Sequence, residues 1–283
     1  MERQKRIAAI HDISCVGRCS LTVALPILSA AGLDTGVLPT AVLSTHTGGF
    51  EGFTYRDLTE DINPISKHWQ SLGLEFDALY SGFLGSFEQI DLVAELFDTF
   101  KREDNLILID PVMADNGKLY SIYSPDMAKG MAKLCAKGDI IVPNMTEAAF
   151  ILDRPYVEGA YTKEYIADTL KALSDLGPAK VVLTGVYYDD ENLGAASYDR
   201  TTGDINFNYS KRIGGYYHGT GDVFGSALLS GLMNGKTLCE AVQIAVDFTC
   251  ASIAHTVELG AELRYGVAFE RALPKLMDML GLR

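Results

Sequence analysis

Thirteen residues near the end of the chain, GTGDVFGSALLSG from Gly219 to Gly231, set a lone acid behind two glycines at the mouth of an apolar helix. A helix start offers unpaired N–H groups and partial positive charge, and glycines let an anion come close to that backbone. Gly219, Thr220 and Gly221 thus form a candidate cradle for a phosphoryl group in transfer, whose equatorial oxygens carry the charge. Asp222 beside them repels a phosphate that is merely bound, but it can take the proton of an attacking hydroxyl. The same residues also read as a glycine turn with a favourable first-turn acid. No Gly-Lys-Ser/Thr follows, so this is not a Walker loop.

Two other clusters carry oxygen ligands. DPVM ends an apolar run with Asp110, and Asp115 follows it. One or two such carboxylates with nucleotide phosphates suffice for Mg²⁺, which keeps several of its waters. In PNMTE, Asn144 and Glu147 stand three apart, the spacing of a capping box. A capped helix end can also hold a hydrated metal, so both readings stay open.

The elements that must position these residues alternate. RIAAIHDI, VLPTAVLS, and the apolar runs within 76–85, 105–113, 138–144 and 179–185 read as strands closed by Gly, Pro or Asn. Helical spacing fills the intervals: SLTVALPILSAAG, 90–103, 124–138, 146–152 and 162–177. That order predicts an α/β, three-layer architecture with a mostly parallel sheet between helices. Turn-rich residues 187–210 predict one or two antiparallel edge strands, and the chain beyond them reads as mainly helical, including 258–283. With no repeat or linker, one domain over 1–283 is the economical organisation. Ligands in such sheets bind beyond the carboxyl ends of the strands. Asp12, Thr47, Gly82, Asp110, Asn144, Thr184 and the 219–222 turn all fall there.

Composition narrows the function. The 283 residues are 48% hydrophobic, enough for a continuous core, and carry a net charge of −13 with no basic cluster, which disfavours nucleic acid as a partner. Five scattered cysteines suit reduced thiols in a cytoplasm. The basic N-terminus leads into an apolar run too short for a signal or membrane anchor. The histidines, His46 and His218 among them, lack metal-ligand spacing. The apolar stripe of AVQIAVDFTCASIAHTV reads as packing on the sheet, with a second use as a wall for adenine, rather than as a membrane face.

SGFLGS (81–86), DPVM (110–113), PNMTEAAFIL (143–152) and GTGDVFGSALLSG (219–231) resemble, in order, the signatures of the ribokinase-like superfamily. Within it the chain is most similar to the pyridoxal (vitamin B6) kinases, over practically its whole length. The resemblance implies a cytoplasmic homodimer that phosphorylates the 5′-hydroxymethyl group of a B6 vitamer with ATP, Mg²⁺ and often a monovalent cation such as K⁺. It implies that Asp222 is the base and that Gly219, Thr220 and Gly221 form the anion hole. Asp110, Asp115 and Glu147 match acids around phosphates and cations, and Asn144 and Thr184 match nucleotide contacts. STHTGG (44–49) matches the segment over the vitamer ring, with Thr47 as its polar contact, and Tyr123 matches a tyrosine that closes over the site.

Departures bear on the substrate. Asp12 stands where these kinases commonly have serine, and a carboxylate there suits a protonated ring nitrogen or an aminopyrimidine. Phe83 replaces a common tyrosine, keeping the stacking face without the hydroxyl. Hydroxymethylpyrimidine kinases of thiamine synthesis are the main alternative. Many of them resemble GTGC at the base position, so Asp222 favours the B6 branch. A sugar kinase fits less well, because an extended lid segment and an early Gly-Gly signature are missing. A vitamer-binding protein without transfer activity is a further alternative, against which the intact Asp222 argues.

Overall fold

The computed structural model describes residues 3–283. Its main sheet has nine strands in the spatial order β11-β10-β9-β8-β5-β4-β1-β2-β3. Six of them run parallel: β1 (Arg6–Ser14), β2 (Asp34–Leu43), β4 (Ala78–Ser81), β5 (Leu106–Ile109), β8 (Ile140–Ile141) and β9 (Lys180–Val186). The antiparallel edges are β3 (Tyr55–Asp57) on one side and β10 (Asn192–Asp199) with β11 (Asp204–Lys211) on the other. Strand β1 shows why the centre is continuous in sequence hydrophobicity: Ile7, Ala8, Ala9 and Ile10 are all 0% exposed, because helices cover both faces.

One face packs against α2 (Thr59–Ser71), α3 (Phe87–Phe100), α4 (Pro125–Cys135), α5 (Met145–Ile151) and α6 (Lys163–Asp175). The other is covered by α1 (Leu21–Ala30), α7 (Thr220–Met233), α8 (Leu238–Glu258) and α9 (Leu273–Leu280). Capping sets several helix starts: Ser86 accepts the Gln89 N–H, and both Asn144–Glu147 and Thr237–Glu240 form complete capping boxes.

The mostly parallel sheet between helical layers and the two antiparallel strands after residue 187 agree with the sequence reading. Other parts depart from it. Strands β4, β5 and β8 are shorter than their apolar runs, since chain beyond each strand end turns into the site while remaining buried. Helix α2 and the small hairpin of β6 (Ala114–Asp115) and β7 (Lys118–Leu119) were not foreseen. In TEDINPISKHWQS only Ile62 and Ser66 are buried, so the apolar stripe is too thin to register. Residues 258–283 hold one helix, α9, preceded by two single 3₁₀ turns rather than a continuous helical segment.

Candidate active site

The carboxyl ends of the parallel strands open into a cavity of about 580 Å³. That is ample for a nucleotide and a small ring. Asp12 and Ser14 from β1, the 46–48 loop after β2, Phe83 after β4, Asp110 after β5 and Asn144 after β8 all line it. Thr184 of β9, the β6 residue Asp115, and the α7 entrance complete the wall.

At that entrance Gly219 is the N-cap, with φ at 76°. A Cβ there would lie 1.9 Å from the Arg18 carbonyl oxygen, so both the left-handed backbone and the close approach demand glycine. The N–H groups of Gly219, Thr220, Gly221 and Asp222 find no acceptor among the described residues. Asp222 is half-buried on the cavity wall. Burial pushes its pKa up to about 7, with the Ser20 N–H opposing the rise and the Asp12 charge adding to it.

Asp110 is 6% exposed and its carboxylate accepts no hydrogen bond from the described residues. Burial, then the Glu147 and Asp222 charges, hold its pKa well above the usual carboxylate range. Glu147 is buried too. Its Oε2 accepts the Asn144 N–H at 2.9 Å and its Oε1 the Met113 N–H at 3.1 Å. Burial raises it to about 8 despite those donors. Five acids, Asp12, Asp110, Asp115, Glu147 and Asp222, line the cavity, against Lys211 and Arg212 as its basic residues. An enclosed carboxylate without a donor beside a second acid fits a hard, oxygen-seeking cation. The donor set therefore suits Mg²⁺.

Asp12, on β1, is 4% exposed and accepts hydrogen bonds from the Ser14 and Ser20 hydroxyls. Burial raises its pKa, and those hydroxyls restrain the rise. Thr47 lies exposed on the rim and Phe83 presents its ring.

Of the thirteen residues given a site role in the sequence, twelve line the cavity. The exception is Tyr123. Its ring packs edge-on against Phe83 at 6.0 Å and its hydroxyl donates to the Leu84 carbonyl, which holds it in the core behind the wall. Tyr120, three residues earlier, lines the cavity instead. Asn144 borders the cavity with its amide already committed: Oδ1 accepts the Thr146 and Glu147 N–H groups, and Nδ2 donates to the Ala114 carbonyl at 2.9 Å. Sequence reasoning missed Cys19, Ser20, His46 and His218 as wall residues, since only loop packing brings them there. The stripe on α8 does reach the cavity, through Val246, Thr249, Cys250 and Ile253. All five cysteines are free thiols.

Comparison with known proteins agrees with this geometry. The family model described as phosphomethylpyrimidine kinase matches residues 39–266. A candidate phosphomethylpyrimidine kinase from Bacteroides thetaiotaomicron, solved in an orthorhombic form with pyridoxal, superposes with a TM-score of 0.93 at 39% identity, covering 97% of this chain and 96% of that one. The pyridoxal kinase of Lactobacillus plantarum gives a TM-score of 0.89 at 30% identity over 98% of each chain. Pyridoxal kinase PdxY of Histophilus somni is 27% identical over 222 residues, 75% of either chain. A ribokinase-like sheet, the ordered motifs at its strand exits and a family model spanning most of the length converge, and the chain belongs to the phosphomethylpyrimidine kinase family, within which it is similar to pyridoxal kinases.

Proposed function

We propose that this chain is a pyridoxal kinase, transferring the γ-phosphoryl group of ATP to the 5′-hydroxymethyl oxygen of pyridoxal, pyridoxamine or pyridoxine in B6 salvage. One observation carries the reading: a half-buried acid, Asp222, stands in the first turn of a helix whose free N–H groups border a cavity large enough for both substrates.

In this mechanism Asp222 accepts the hydroxyl proton as the substrate oxygen attacks phosphorus in line. The new O–P bond forms as the bond to the β-phosphate oxygen breaks, and ADP leaves with that electron pair. The amides of Gly219 to Gly221 hold the equatorial oxygens and favour the transition state over the ground state. Asp110 and Glu147 would hold Mg²⁺ largely through water, and the cation supplies charge neutralisation at the phosphates. Thr184, Asp115 and Asn144 are assigned to the nucleotide end, with Asn144 acting by keeping the 144–147 cap in place. Asp12, Thr47 and Phe83 are assigned to the ring. A cytoplasmic homodimer with one domain per chain, and a monovalent cation beside Mg²⁺, complete the proposal. Among the described residues no helix is long and apolar enough to cross a membrane.

A hydroxymethylpyrimidine is the second reading of the acceptor, favoured by the buried Asp12 carboxylate, which suits an aminopyrimidine edge. ADP release by the purified chain with ATP and Mg²⁺, measured against a panel of B6 vitamers and hydroxymethylpyrimidine, separates the readings. Stimulation by the vitamers supports the proposal. Preference for the pyrimidine selects the second reading, and stimulation by neither leaves a binding protein.

A further inference from the structure

His46, unremarkable in the sequence, is 6% exposed in the loop after β2. Its Nε2 lies 2.6 Å from the Arg264 carbonyl oxygen, and its Nδ1 lies 3.1 Å from the Gly48 backbone nitrogen. A carbonyl only accepts and a backbone N–H only donates, so the two partners together require a neutral ring with its proton on Nε2. The ring is also walled in. Phe50 meets it edge-on at 5.0 Å, and Tyr265 meets Phe50 at 5.3 Å. Behind it Gly17 has φ at +92°, and a Cβ there would come within 2.3 Å of the His46 ring, so the missing side chain is the seat of the imidazole.

The bonds join separate segments. Nδ1 closes a short turn from His46 to Gly48 whose middle residue is Thr47, on the cavity rim. Nε2 fixes that turn to the 262–266 segment, where the Tyr265 carbonyl accepts the Arg18 N–H at 3.1 Å. The Arg18 carbonyl in turn abuts Gly219, the N-cap of α7. One ring thus links the turn bearing Thr47 to the segment against which the phosphoryl-binding helix begins.

We propose that His46 is a positioning residue, a latch that sets the location of Thr47 relative to the start of α7 and so governs how the ring-bearing substrate seats. The inference rests on the vitamer-kinase reading for its substrate. It assigns His46 to acceptor binding, through its hold on Thr47.

The test compares His46→Ala and His46→Gln in the full chain, with KM for pyridoxal and for ATP measured separately, and amide hydrogen exchange followed over residues 44–50. His46→Ala should raise the pyridoxal KM roughly tenfold, the size of one lost hydrogen bond. The ATP KM stays constant and exchange at 47–49 quickens. The glutamine amide can still donate to the Arg264 carbonyl, so His46→Gln should recover much of both losses. An unchanged pyridoxal KM, or an equal rise in both KM values, overturns the latch. If the wild-type chain turns over no vitamer, the functional reading fails separately, and exchange alone decides: lost protection at 47–49 in His46→Ala supports the latch, and unchanged protection overturns it.

Discussion

Glu147 accepts the backbone N–H of Met113 at 3.1 Å while its other oxygen caps α5, so one side chain joins the helix start to the loop that carries Asp110 and Asp115. Truncation leaves two backbone donors, buried Met113 and half-buried Asn144, without acceptors. Glu147→Ala should therefore lose about 2 kcal/mol or more of stability, read as a lower Tm, through unsatisfied N–H groups and the lost cap. Glu147→Gln keeps an amide oxygen for one of them and should lose less.

The acid in α7 ties stability to pH. The pKa of Asp222 is raised from 3.8 to about 7 in the folded protein, chiefly by burial. Between those values the native chain holds a proton that the unfolded chain has released. This contribution to stability is fully present below about pH 4 and is lost as pH rises through 7. Asp222→Asn removes the group that titrates. Thermal unfolding of both unliganded forms across this window should show the advantage of wild type over the variant shrinking as pH rises; a difference independent of pH contradicts the assignment.

Asp12 should select the ring. Its carboxylate lines the cavity and is held by the Ser14 and Ser20 hydroxyls, and the proposed role is a bond to a ring nitrogen. Asp12→Ser should cost roughly tenfold or more in kcat/KM for the preferred acceptor, the scale of a charge-assisted hydrogen bond. The loss should differ across pyridoxal, pyridoxamine and hydroxymethylpyrimidine. An equal loss for all three would show that Asp12 does not read the ring.

Much of this site was legible in the sequence because its residues follow strands with strong apolar runs, and parallel strands bring all such exits to one edge. Asp12, Asp110 and Asn144 are of that kind. Gly219 and Asp222 were legible from the helix they open. Tyr123 was misplaced because a tyrosine in a loop can turn either way, and here the hydrogen bond to Leu84 together with packing on Phe83 turns it into the core. His46, Cys19 and Ser20 left no local signal, since their place on the wall depends on contacts with segments far away in the chain, such as Arg264 with His46. Helix α2 escaped notice because it buries little. One or two antiparallel edge strands over 187–210 were readable from alternation and turn residues, and the structure makes them the paired β10 and β11.

The account turns on Asp222 as the group that deprotonates the acceptor hydroxyl. Its most direct test is the kcat of Asp222→Asn with ATP and pyridoxal, alongside ATP affinity measured by binding. The substitution should lower kcat by roughly 10²- to 10⁴-fold, the span of general-base catalysis, with ATP affinity unchanged. Turnover close to that of the wild type would contradict the account.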